Sequence, residues 1–177
     1  TQLLVGSEGT LAVVTKIFLK LVPNPTHKAL VLAPFRTLED PARAVAALFQ
    51  AGLTPSACEY MEKSAVEAGA KQTSQPNPFP WAEAMLLIEV DGFSQTEIER
   101  QLEKLAEVLD RFGAADMALA ETPEQQAKLW RLRRSIGEAV KTRAIYKEED
   151  TVVPRFALPE LLMSVKKICA RYGVANV

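Results

Sequence analysis

Two stretches of the chain carry residue types that can meet a ligand. Gly6-Ser7-Glu8-Gly9-Thr10 sets two glycines around small polar residues, the make-up of a loop whose backbone can approach a bound group because Gly9 has no Cβ. It lacks the terminal lysine of a phosphate-cradling loop, and no strand-to-helix context surrounds it. As a bare pattern it equally fits a tight turn before a strand. The second stretch is basic, with Arg131, Arg133, Arg134 and Arg143, and Arg155 further on. A guanidinium stays charged at any working pH and offers a planar, two-pronged match to a carboxylate. These arginines are therefore candidates for holding a carboxylate substrate; the plainer reading is an exposed basic face.

The rest of the polar chemistry is thin. His27 is the only histidine, and one histidine builds neither a His-rich metal site nor a Ser-His-Asp relay. Cys58 and Cys169 lie far apart and form no Cys-x-x-Cys pair, which reads as reduced thiols in a cytoplasmic protein. Glu149-Asp150 reads as a solvated loop, and Trp81 and Trp130 as core or loop anchors. A net charge of -1, from 21 basic and 22 acidic residues, offers no field for nucleic acid or an anionic membrane. No apolar run approaches the ~20 residues needed to span a bilayer. With 48% hydrophobic residues in 177, the chain is long enough to bury a sizeable core.

The elements that must position these residues follow from periodicity. Residues 11 to 22 are β-branched and apolar and predict one long strand or a bent pair. Pro23-Asn24-Pro25 ends it and sets a domain boundary, dividing 1–24 from 25–177. A strand from Lys28 to Phe35 then precedes a helix that Thr37 can cap, with Leu38, Ala42, Val45, Leu48 and Phe49 on one face and Gly52 as its stop. A strand at Ala57 to Met61, a short helix over 62–70 and a proline loop at 75–80 follow. The pattern repeats with a strand at Ala84 to Val90, an Asp91-Gly92 turn, and a helix opened by Ser94 and Glu97. Its apolar stripe is Ile98, Leu102, Leu105, Leu109 and Phe112. A strand at Ala115 to Ala120 closes the second unit. Two β-α-β units in succession predict an α+β fold, a ferredoxin-like antiparallel sheet with helices on one face. Thr122-Pro123-Glu124-Gln125 opens a helix through Trp130 toward Val140. A strand at Thr151 to Val153 and a helix begun by Pro159, with Leu161, Leu162, Val165 and Ile168 as its apolar positions, complete the chain.

Gln2 to Pro23 closely resembles the segment that closes the FAD-binding domain of the FAD-linked oxidases of the glycolate oxidase and D-lactate dehydrogenase type. The likeness continues through Cys58-Glu59-Tyr60-Met61-Glu62, Leu87 to Gly92, the Leu-Trp-x-x-Arg helix at Leu129 to Arg133, and Glu149 to Arg155 with Leu158-Pro159. The resemblance implies a terminal β-hairpin of an FAD-binding domain over residues 1–24, followed by a cap or substrate domain. It implies FAD contacts, mainly through backbone, at Glu8, Gly9, Thr10, Leu11, Ala12, Val13 and Val14, and a substrate-carboxylate role for Arg133. The family usually has glycine where Ala12 stands, which adds a methyl group beside the flavin path. Relatives acting on 2-hydroxyglutarate place a lysine where this chain has Glu148, next to Lys147, so the match to that subgroup fails.

The implied activity is oxidation of a 2-hydroxy acid, such as glycolate or D-lactate, with hydride passing to the flavin. The family's catalytic and metal-ligating histidines lie in a His-x-x-Gly-Asp-Gly-Asn-x-His segment that would follow Val177. The chain is therefore expected to be an inactive fragment, with no catalytic or metal residue of its own. Expected partners are an iron-sulfur or other electron-acceptor subunit and a second copy, with cytoplasmic placement and membrane association only through partner subunits. The competing reading is a ferredoxin-like small-molecule-binding or dimerisation module without catalysis.

Overall fold

The computed structural model describes residues 1–142 and 145–177; Arg143 of the basic stretch lies outside the described residues. Regular structure begins just after the Pro23-Asn24-Pro25 break. Strands β1 (His27–Phe35), β2 (Ala57–Glu62), β3 (Ala84–Gly92) and β4 (Ala118–Ala120) form an antiparallel sheet in the order β2-β3-β1-β4. Between and after them come α1 (Glu39–Gln50), α2 (Lys63–Thr73), α3 (Gln95–Asp110), α4 (Pro123–Lys141) and, beyond a 3-10 turn at Arg155–Ala157, α5 (Leu158–Arg171). The units β1-α1-β2 and β3-α3-β4 interleave so that β1 and β3 lie side by side at the centre, the expected ferredoxin-like topology.

The central strands explain the layering. Seven residues in a row of β1, from Ala29 to Phe35, are buried, as are Ala84 to Ile88 of β3. A strand with one wet face alternates between buried and exposed positions, whereas an unbroken buried run requires cover on both sides. Ala29, Val31, Ala33 and Phe35, with Leu86, Ile88 and Val90, pack against Leu48 of α1 and Ile98, Leu105 and Leu109 of α3. Leu30 and Leu32, with Met85 and Leu87, pack against Val66 and Ala70 of α2 and Leu132 of α4. The expectation of helices on one face is thus corrected: α2 and α4 cover the second. Pro34 fits inside β1 because β4 pairs only with Leu30 to Leu32. Past that short ladder its missing N–H deprives no partner, and its carbonyl still accepts from the Ala115 amide at 3.4 Å.

Local signals set most boundaries. The Ser94 hydroxyl accepts from the Glu97 amide, while the Phe93 amide donates to the Glu97 carboxylate at 2.9 Å, a reciprocal cap for α3. At α1 the cap position falls on Leu38, which has no side-chain oxygen; Thr37, one residue earlier, accepts from the Asp40 amide at 3.1 Å instead. Asp91 and Gly92 continue β3, paired with Lys28 and His27, rather than forming a turn. Residues 11–22 and 151–153 do not form the strands that their composition predicts, and residues 1–24 do not form the hairpin that the family resemblance implies. Among the described residues no segment pairs with them, and a strand without a ladder partner leaves its backbone to solvent.

Helices α2 and α4 cross closely at Gly69. A Cβ there would lie 2.9 Å from Ile136 Cγ1 and Ser135 Oγ and 3.1 Å from the Leu132 carbonyl oxygen. The Ser135 hydroxyl, buried in the crossing, donates to the carbonyls of Leu132 at 2.7 Å and Gly69 at 3.3 Å. Gly69→Ala should destabilise the fold by about 1–3 kcal/mol through overpacking, read as a lower urea midpoint; an unchanged midpoint would show that the crossing has slack. On the opposite face, burial and the adjacent Glu59 charge push the Cys58 thiol up to about 11. At pH 8 that leaves roughly a hundredth of the thiolate of an unshifted cysteine. Iodoacetamide followed by mass spectrometry should label Cys169 well before Cys58; equal rates would refute the burial argument.

Candidate functional site

Helix α4 is the element that brings the arginine stretch to the sheet. It starts at a full capping box, the Thr122 hydroxyl accepting from the Gln125 amide at 3.3 Å and the Gln125 side chain accepting from the Thr122 amide at 3.1 Å, with Pro123 in the first turn. Its inward face is Leu132, Ser135 and Ala139. Trp130 and Arg133, three residues apart and therefore on one side of the helix, reach over neighbouring strands. Each meets a glutamate.

Arg133 Nε donates to Glu59 Oε2 of β2 at 2.7 Å, and Nη2 lies 2.7 Å from the same oxygen. The two side chains are about one-third exposed, 36% and 32%, so the guanidinium is anchored yet open to solvent. Trp130 Nε1 donates to Glu89 Oε2 of β3 at 3.3 Å. Glu89 also accepts from Lys28 Nζ at 3.1 Å and from the Ser56 hydroxyl at 3.0 Å. Its side chain is only 13% exposed, and three donors answer the desolvation of its charge. Glu59 faces Leu87 across the β2–β3 ladder and Glu89 faces Ala57, so both carboxylates stand on the α4 side of the sheet. The result is a half-open polar patch bounded by Arg133, Glu59, Glu89, Trp130, Lys28 and Ser56.

Glu59 and Glu89 were not singled out as functional from the sequence, although a signal exists. A carboxylate inside an otherwise apolar strand must find a donor, and the neighbours Cys58, Tyr60 and Met61 or Ile88 and Val90 mark both positions as such. Tyr60, on the opposite face from Glu59, donates its hydroxyl to the Leu38 carbonyl at 2.9 Å, and burial first, then the Glu62 charge, raises its pKa.

The other candidates lie apart from this patch. Arg131 and Arg134 are exposed on the far side of α4. The Arg155 guanidinium stacks 3.8 Å above the Phe49 ring, docking the turn before α5 onto α1. Glu149 pairs with Lys147 at 2.7 Å in an exposed segment, and Asp150 is exposed beside it. Trp81 packs edge-on to Phe79 beneath the Arg36 guanidinium, and His27 Nδ1 lies 2.9 Å from the Thr26 hydroxyl. Among the described residues no three His, Cys, Asp or Glu side chains converge as a metal ion requires, and no helix is long and apolar enough to cross a membrane.

Residues 8–14 are all exposed. Gly6, Glu8 and Gly9 have φ of 81°, 49° and 75°; for Glu8, with its Cβ, the left-handed region costs roughly 1–2 kcal/mol. A Cβ on Gly6 or Gly9 would meet nothing within 4 Å. Among the described residues, no backbone hydrogen bond joins Leu11, Ala12, Val13 or Val14 to the folded domain.

Residues 24–177 match the family model described as FAD linked oxidases, C-terminal domain. A D-lactate dehydrogenase from Anaerostipes hadrus is 33% identical over 173 residues, covering 94% of this chain and 36% of that protein. The glycolate oxidase subunit GlcD of Escherichia coli K12 is 32% identical over 178 residues, 99% of this chain and 35% of that protein. A D-lactate dehydrogenase from Archaeoglobus fulgidus is 33% identical over 173 residues, 98% of this chain and 37% of that protein. The chain thus spans little more than a third of the length of these relatives, and FAD is the cofactor to which the family is tied. With the family model covering the folded domain from its first strand onward, the chain belongs to the FAD linked oxidases as their C-terminal domain.

Proposed function

We propose that this domain forms the substrate side of a larger flavoprotein that oxidises a 2-hydroxy acid, such as glycolate or D-lactate, to the 2-oxo acid. The observation that carries the reading is Arg133, a permanently charged guanidinium fixed to the sheet by Glu59 with its outer part open to solvent. The names of the relatives, D-lactate dehydrogenase and glycolate oxidase subunit, support the same substrate class. Arg133 receives the substrate carboxylate and so orients the hydroxyl-bearing carbon; the two-pronged match sets both distance and plane. Residues 1–24 belong to the end of the FAD-binding domain, where Glu8, Gly9, Thr10, Leu11, Ala12, Val13 and Val14 hold the cofactor through backbone groups. FAD, when bound, supplies the hydride acceptor. An electron-acceptor subunit then takes the electrons onward, in keeping with the relative named as a subunit, and the assembly resides in the cytoplasm.

The test uses the full-length protein with its flavin. Anaerobic addition of glycolate or D-lactate should bleach the flavin absorbance. Arg133→Ala should lower kcat/KM by roughly a hundredfold, the size of a lost charge-assisted carboxylate contact, chiefly through KM. Arg133→Lys, which keeps the charge but loses the fork, should fall between the two. A flavin that neither substrate bleaches, or an unchanged KM in Arg133→Ala, would sink the proposal.

A further inference from the structure

A guanidinium has five N–H donors and two edges on which a carboxylate can lie. In Arg133 one edge is taken: Nε and Nη2 both lie 2.7 Å from Glu59 Oε2. The remaining edge, formed by Nη1 and the outer N–H of Nη2, meets no acceptor among the described residues and belongs to a side chain 36% exposed. The backbone that carries Glu59 is held in place, because β2 is laddered to β3 on both sides of it, from Ala57↔Glu89 to Glu62↔Ala84. A long, flexible arginine stem is thus tied to the rigid sheet by its inner edge, which aims the outer edge at a fixed spot. The surroundings also carry sign. Glu59 cancels much of the Arg133 charge, and Glu89 stands on the same sheet face with its charge answered by Lys28. One carboxylate can be received by the free edge; a second on the same small molecule would meet Glu59 and Glu89 with no unengaged cation in the patch.

We propose that Glu59 is the positioning residue for Arg133, and that it restricts the site to 2-hydroxy acids bearing a single carboxylate. The inference rests on the Arg133 reading above and deepens it to a substrate class. It is tested in the full-length, flavin-loaded protein with Glu59→Gln, Glu59→Ala, Arg133→Ala and the Glu59→Ala/Arg133→Ala double variant, each checked for an intact thermal melt. Glu59→Ala should raise KM for glycolate or D-lactate about tenfold, the cost of ordering one long side chain on binding, with kcat nearly unchanged. In the Arg133→Ala background the same substitution should add nothing, since Glu59 acts only through the guanidinium. Glu59→Gln, nearly isosteric, should relax the preference for D-lactate over a dicarboxylate such as D-2-hydroxyglutarate. Losses that multiply in the double variant would overturn the positioning role, and an unchanged monocarboxylate preference in Glu59→Gln would overturn the selectivity. An Arg133→Ala variant with unaltered KM would instead remove the reading on which both depend.

Discussion

Two adjacent central strands that are apolar on both faces are the constraint from which this architecture follows. β1 and β3 have no wet side: Val31 and Ile88 point one way, Leu32 and Leu87 the other, and all four are buried. Leaving either face uncovered would expose several large side chains, each worth about 1.5–3 kcal/mol when removed from water. α1 and α3, supplied by the two β-α-β units, cover one face. The second needs α2 and α4, which come from a long connection and from the chain beyond β4. Those two helices must lie flat enough on the sheet to seal it, and Gly69 permits the close crossing that makes this geometry available.

The polar patch is a by-product of the same covering. α4 lies across β2 and β3 to bury Leu132, and in doing so it carries Trp130 and Arg133 over Glu89 and Glu59. The two contacts differ in kind. Glu89 is largely buried, so its three donors are required to offset desolvation, and removing one leaves a charge short of partners. The Arg133–Glu59 pair is about one-third exposed, where ion pairs contribute about 0–1 kcal/mol. Such a pair adds little stability, and its two short contacts restrict how the guanidinium can turn.

Residues 11–22 and 151–153 show what local composition does not decide. Both are rich in β-branched side chains, yet neither forms a strand. Sheet preference measures how a side chain packs on a pleated, half-buried surface beside a paired backbone. Without that surface Ile17, Phe18 and Leu19 stand in solvent. The same view explains α5, whose apolar positions Leu161, Leu162 and Val165 are only partly buried: Arg155 of the preceding turn stacks on Phe49 and Lys166 pairs with Glu62, in place of a sealed core.

Much was legible in the sequence because it is local. The strands at 28–35, 57–61 and 84–90, the caps at Ser94 and Thr122, the interleaved β-α-β units and the family likeness all follow from short-range periodicity, capping chemistry and motif spacing, and each is present here. The likeness at Leu129 to Arg133 marked Arg133 as a candidate for a substrate carboxylate, and the structure pairs that arginine with Glu59. Pairwise and long-range matters were decided only by tertiary structure. The cover on the second face, the continuation of β3 through Asp91 and Gly92, and the absence of strands at both unpaired segments depend on which elements are available as neighbours. The meeting of Arg133 with Glu59, 74 residues away in the chain, depends on the angle at which α4 crosses the sheet. The close approach of α2 and α4 at Gly69 is likewise a steric fact spread over two helices that no single stretch of sequence contains.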